Sequence, residues 1–178
     1  MGYLSVADLN DLSADAFADE VAPLFEGARG FLERLAAARP FDSDRAFLAT
    51  AREVARTMPE ADQIELLNAH PPLGSDPAAI SRASFEEQGY GSTEEVDEQP
   101  MLEELVMLNE VYEGRFGFRY VIFVAGRPLS AIGPLIEAAM RNDRAAELGR
   151  GLDDVIDIAA DRLAEMRGEY PDRENGPG

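Results

Sequence analysis

In Arg115-Phe116-Gly117-Phe118-Arg119-Tyr120-Val121-Ile122-Phe123-Val124 the last part is short, aromatic and β-branched, the composition of a strand. A strand needs a partner, because an isolated one leaves its backbone N–H and C=O groups unsatisfied. No second segment of the chain carries a convincing strand pattern. That last part therefore reads as a buried extended segment whose backbone bonds something other than a sheet; a ligand would serve. That reading decides the fold class, which is all-α, with roughly eight or nine helices if each averages about 11–12 residues.

Working outward, Pro100 begins a long helix with Met101, Leu105, Leu108, Val111 and Tyr112 as its buried stripe. On the other side, Pro128 starts a helix carrying Leu129, Ile132, Leu135, Ile136 and Met140, and Asn142-Asp143 caps the last one. That helix presents Leu148, Leu152, Val155, Ile156, Ala159, Leu163 and Met166 at a 3–4 spacing. Arg162 lies beside this stripe, not opposite it where a solubilising arginine would sit.

Toward the N-terminus, residues 5–25 are helical in pattern, with Ser5 and Ser13 as N-caps. Residues 30–39 form a helix stopped by Pro40, and Asp42-Ser43 caps a third with Phe47, Leu48, Ala51, Val54 and Ala55 inward. Pro59 starts a fourth, which carries Ile64, Leu66 and Leu67 inward and ends at His70. With no internal repeat and no long linker, residues 1–170 read as one domain and 171–178 as a frayed tail.

Composition excludes several chemistries. The chain has no cysteine and one histidine, so thiolate nucleophiles, disulfides and the usual cysteine or multi-histidine metal sites are ruled out. No calcium-loop spacing and no glycine-rich phosphate loop with its lysine is present, which leaves only a carboxylate-bound Mg or Ca site open. A net charge of -19 argues against nucleic-acid and anionic-membrane partners. No run of about 18 apolar residues could span a bilayer, and residues 1–8 lack a signal-peptide pattern, so a cytoplasmic protein is expected. All 16 basic residues are arginine, a sign of coding bias or of a salt-adapted host. An anionic substrate would be repelled overall and must meet a local positive pocket built from arginine and His70.

His70 follows a periodic apolar segment and precedes Pro71-Pro72-Leu73-Gly74. Pro71 disfavours helical geometry at His70, and the negative end of the helix dipole would favour the imidazolium. Taken alone, such a histidine more often caps helical carbonyls than does chemistry. Downstream, Ser84, Glu87 and Gln88 share a helical face. Ser84-x-x-Glu87 is also a capping box, which leaves Gln88 without a task. Residues 89–99 are polar and acidic, a surface loop that could act as a lid.

Together these pieces resemble the 2-oxo-4-hydroxy-4-carboxy-5-ureidoimidazoline (OHCU) decarboxylase family over nearly the whole chain. The anchors are Phe25-Glu26, Arg39-Pro40-Phe41, Gln63-Ile64-Glu65-Leu66-Leu67, Ala69-His70-Pro71, Ser84-x-x-Glu87-Gln88, Leu108-Asn109-x-x-Tyr112, Phe116-Gly117-Phe118, Gly126-Arg127, Glu147-Leu148 and Arg162-Leu163. The resemblance implies an all-α, cofactor-free and commonly homodimeric enzyme that yields (S)-allantoin in urate breakdown. It places catalytic roles on His70, Glu87 and Arg162, and substrate contacts on Pro71, Ser84, Gln88 and the backbone of Tyr120, Val121 and Ile122. His70 would be the general acid/base and Arg162 would bind an anionic or carbonyl oxygen. Departures from the family pattern fall at Ala28-Arg29-Gly30, at residues 91–93, at Arg119 in place of a proline, and at Asp161 in place of a leucine. They leave two alternatives: a divergent paralogue acting on another small heterocyclic acid, or a non-catalytic binding domain. In the latter, His70 merely caps a helix and Arg162 pairs with Asp161 or Glu165 in solvent.

Overall fold

The computed structural model describes residues 4–73 and 99–168. Among them are eight α-helices and no strand: α1 (Val6–Asp11), α2 (Ala14–Val21), α3 (Arg29–Ala37), α4 (Asp44–Thr57), α5 (Glu60–Ala69), α6 (Gln99–Phe116), α7 (Ile132–Ala139) and α8 (Arg144–Arg167). Short 3-10 turns at Ala22–Leu24 and Leu129–Ala131 follow α2 and precede α7. The tail at 171–178 and the segment holding Ser84, Glu87 and Gln88 lie outside the described residues.

The expected caps start the helices. Ser5, Ser13, Ser43 and Asp143 each accept a backbone N–H three residues on, satisfying a donor the helix cannot use itself. The pattern over residues 5–25 resolves into α1, α2 and the 3-10 turn, because Ser13 opens a new helix. Arg39 ties this region together, its Nη1 donating to Leu12 O at 2.6 Å and Leu9 O at 3.1 Å. Asn10 and Phe41 exchange side-chain and backbone hydrogen bonds at 2.8 and 2.9 Å, and the Arg39–Pro40 peptide between these contacts is cis.

Helix α8 is the centre of the molecule, packing against α4 and α5. Its buried stripe includes Leu148, Leu152, Val155, Ile156, Ala159 and Leu163, as the spacing predicts. Gly151 lets Leu67 of α5 approach, since a Cβ there would sit 3.1 Å from the leucine methyl. Arg52 and Arg56 of α4 reach Asp153, and Arg52 also reaches Asp157 at 2.6 Å. These pairs are partly exposed, so each contributes at most about 1 kcal/mol.

Stripe residues differ from the expectation in four helices: Leu135 of α7 and Met166 of α8 are exposed, and α6 and α5 differ more widely. In α6, Val111 is 58% exposed, and the buried residues are Leu105, Asn109, Tyr112 and Phe116. Apolar residues surround α6, so its rotation is set by tertiary bonds: Tyr112 donates to Glu147 Oε2 at 2.7 Å and Asn109 to Leu73 O at 2.7 Å. In α5, Gln63 is buried where Ile64 is only partly so, because its amide donates to Ala55 O and Arg56 O at the end of α4.

The segment after α6 is extended and unpaired by any strand. Gly117 turns the chain at φ +80°, a region costly for other residues. Side chains then take the backbone groups. Arg119 N–H donates to Asn68 Oδ1 at 2.9 Å, Val121 O accepts from Arg150 Nη1 at 2.9 Å, and the Phe123 N–H bonds Asp154. The backbone partners are thus supplied by α5 and α8.

Candidate active site

Helix α5 stops because Pro71 moves His70 out of helical geometry, to φ -71°, ψ 141°. The imidazole is 4% exposed, and its Nδ1 lies 3.2 Å from Leu66 O. A carbonyl only accepts, so Nδ1 carries the proton and the neutral ring keeps its lone pair on Nε2. Nε2 is buried and has no hydrogen-bond partner among the described residues. The capping role and a chemical role therefore fall on different nitrogens of the same ring.

Burial pushes the His70 pKa down from 6.5 to about 4, and the charge of Arg162 adds to the effect, with Glu26 opposing it. This corrects the expectation that the helix dipole favours the imidazolium. Desolvation of a ring this buried outweighs a partial charge at the helix end, and the ring is neutral at pH 7. A stability prediction follows. The unfolded chain binds the His70 proton near pH 6.5 and the folded chain only near 4, so stability falls as pH drops through that window. The loss reaches roughly 3 kcal/mol at the acid end. Urea unfolding of the parent and of His70→Gln between pH 7 and 4 checks this, the difference between the two curves isolating His70.

Arg162 enters from α8 and is 2% exposed, which contradicts a solvent-facing pair with Asp161 or Glu165. Its Nη1 donates to Pro23 O at 2.8 Å, and its Nη2 meets Glu26 Oε1 at 2.7 Å. Glu26 holds a left-handed backbone at φ +51°, costly for a residue with a side chain, and so turns its carboxylate toward the arginine. His70, Arg162 and Glu26 thus converge from α5, α8 and the turn before α3. Glu26 was not among the expected site residues; its partner is 136 positions away, and no local pattern announces the pairing.

Pro71 is half-buried directly after His70. Tyr120 and Val121 are buried and Ile122 is partly so. The Val121 carbonyl is taken by Arg150, so that group does not await a ligand. The Tyr120 ring packs edge-on to Tyr112 and lies under the Arg150 guanidinium, and burial pushes its hydroxyl up to about 12. Beyond Arg150 opens a cleft of about 510 Å³ whose walls include Tyr120, Arg127, Asn142 and Asp154. His70 and Arg162 are not in those walls, so the cleft is not where the imidazole acts. Burial raises the Asp154 carboxyl to about 6 against the pull of Arg150.

Among the described residues, no group of three or more His, Cys, Asp or Glu side chains is arranged to hold a metal ion. Glu87, Ser84 and Gln88 lie outside the described residues, as does the candidate lid apart from Gln99, the first residue of α6.

A helical frame that buries a neutral imidazole beside a glutamate–arginine pair is the class of protein these residues define. The sequence model of the OHCU decarboxylase family matches residues 10–164, and the chain belongs to that family. A 2-oxo-4-hydroxy-4-carboxy-5-ureidoimidazoline decarboxylase of Haloferax volcanii is 30% identical over 165 residues, covering 93% of this chain and 97% of that protein. The uric acid degradation bifunctional protein of Bacillus sp. (strain TB-90) is also 30% identical over 92% of this chain, but the chain spans only 32% of its length. A crystal structure of OHCU decarboxylase in the presence of (S)-allantoin matches with a TM-score of 0.67 at 24% identity, covering 84% of this chain and 98% of that one. That likeness supports the fold.

Proposed function

We propose that this protein decarboxylates 2-oxo-4-hydroxy-4-carboxy-5-ureidoimidazoline to (S)-allantoin without a cofactor, with His70 as general acid/base. The observation that carries the reading is the buried, neutral His70 whose Nε2 lone pair has no partner among the described residues. When CO2 leaves, its bonding electron pair stays on the ring, where ring unsaturation takes it up. The protein then has to position the substrate, stabilise charge and deliver one proton to one face. Neutral His70 takes the proton of the substrate hydroxyl at Nε2, the oxygen keeping the pair that becomes the product carbonyl. It returns that proton to the ring carbon bearing the ureido group, while solvent protonates the ring nitrogen that received the pair left by CO2. Arg162 holds an anionic or carbonyl oxygen, Glu87 accepts ring or ureido N–H groups, and Ser84, Gln88, Pro71 and the backbone near Tyr120 to Ile122 orient the ring.

Arg119, a departure from the family pattern, uses its donors on Asn68, His70 and Glu113. The same reading includes a homodimer acting in the cytoplasm on a small anionic substrate, with neither nucleic acid nor membrane as partner. A net charge of -19, and the absence of a membrane-crossing helix among the described residues, are consistent with it.

The test is direct. Freshly generated OHCU mixed with the protein is expected to give a circular-dichroism signal for (S)-allantoin well ahead of the buffer control. A trace that follows the buffer would sink the assignment.

A further inference from the structure

We propose that Arg119 is a positioning residue for His70, its guanidinium bridging the last carbonyls of α5 so that the helix end and the extended segment hold together as one piece. The inference rests on the reading of His70 as the acid/base. Its Nη1 donates to Asn68 O at 2.9 Å and to His70 O at 2.5 Å. Its backbone N–H returns to Asn68 Oδ1 at 2.9 Å, and its Nε reaches Glu113 of α6 at 3.3 Å.

The final carbonyls of a helix have no donor within it, and here those of Leu66, Leu67 and Asn68, and of the cap residue His70, each find one. Leu66 O accepts from the His70 ring, Leu67 O from the His70 backbone N–H, and Asn68 O and His70 O from Arg119. Without Arg119 the carbonyl of His70 itself loses its donor, and nothing described replaces it. The backbone that carries the His70 ring is then held less firmly, with the Leu66 contact as the ring's one hydrogen bond among the described residues. A loosened acid/base group is costly, because a displacement of about 1 Å can lower turnover by about 10²-fold.

Arg119 also contributes charge. Among the described residues, the charged groups facing His70 are Arg162 from α8, Glu26 from the turn before α3, and Arg119 from the extended segment. A cation bonded to the carbonyl end of α5 offsets the helix dipole there, which otherwise favours protonation of the ring. Arg119 thus fixes where the imidazole sits and adds to the burial and the Arg162 charge that keep it neutral.

His70 is the only histidine, so the protein gives a single set of imidazole C–H NMR signals and no assignment is needed. Arg119→Met is expected to displace those signals, to raise their titration midpoint above about 4, and to lower turnover about tenfold. Arg119→Lys keeps the charge and loses the planar fork. It is expected to displace the signals and slow turnover while holding the midpoint low. A folded Arg119→Met protein with the parent's signals and midpoint would overturn the proposal. If that variant does not fold, Arg119→Lys decides alone: parent signals at parent turnover overturn it, and displaced signals with slowed turnover support it. Should His70→Gln retain parent turnover, the catalytic reading fails, while the NMR arms still report whether Arg119 holds the ring.

Discussion

His70→Gln is expected to lower turnover of OHCU by about 10²–10⁴-fold while leaving the fold intact. The magnitude is that of a lost general acid/base, since glutamine can neither take nor return a proton at this position. The fold is expected to survive because the glutamine amide can donate to Leu66 O much as Nδ1 does now. Only the Nε2 function disappears. Because the ring is neutral down to about pH 4, the parent's turnover is also expected to show no His70-dependent fall between pH 8 and 5.5. Stopped-flow circular dichroism on both proteins gives the two answers. A glutamine variant within a factor of three of the parent would remove His70 from the chemistry.

Arg162→Met is the second large effect, and it is expected to strike stability and activity together. Removing one partner of a buried ion pair costs about 3–5 kcal/mol, because the remaining charge is left in a poor solvent. Here Glu26 keeps some access to water, with a side chain 18% exposed, so the lower part of that range is expected. The carbonyls of Pro23 and Leu24 lose their donor as well. Glu26→Gln in the same chain removes the stranded charge, so the double variant is expected to recover part of the urea midpoint. Turnover is not expected to return, because the cation that binds the substrate is still missing. A double variant that regained both would make Arg162 a structural arginine only.

Much of this was legible where physics is local. Ser5, Ser13, Ser43 and Asp143 start helices because a short polar side chain reaches the N–H three residues on, and sequence distance alone decides that. The extended segment after Gly117 was legible by a count, one strand-like stretch with no companion being unable to form a sheet, whereas Arg115 and Phe116 still belong to α6. Arg162 was legible by phase, since it borders the apolar stripe of α8. What escaped depends on neighbours far along the chain. Val111 faces outward because Tyr112 and Asn109 fix the rotation of α6 through Glu147 and Leu73. The charge state of His70 follows from burial and Arg162, neither visible in a helix-end pattern. Glu26 joins the site through a backbone angle that its residue type does not suggest. Arg119, by sequence a departure beside the substrate positions, bonds the end of α5 instead.

One 24-residue helix, α8, carries both Arg162 and the pair, Arg150 and Asp154, that seats the extended segment. Twelve residues separate Arg150 from Arg162, which at a helical rise of about 1.5 Å sets them about 18 Å apart. A helix is a ruler that does not stretch. Loops around this protein can lengthen or exchange residues without altering that spacing. Redesigning the protein for a longer acid would therefore call for an insertion of whole turns in α8, not for trimming of side chains around it.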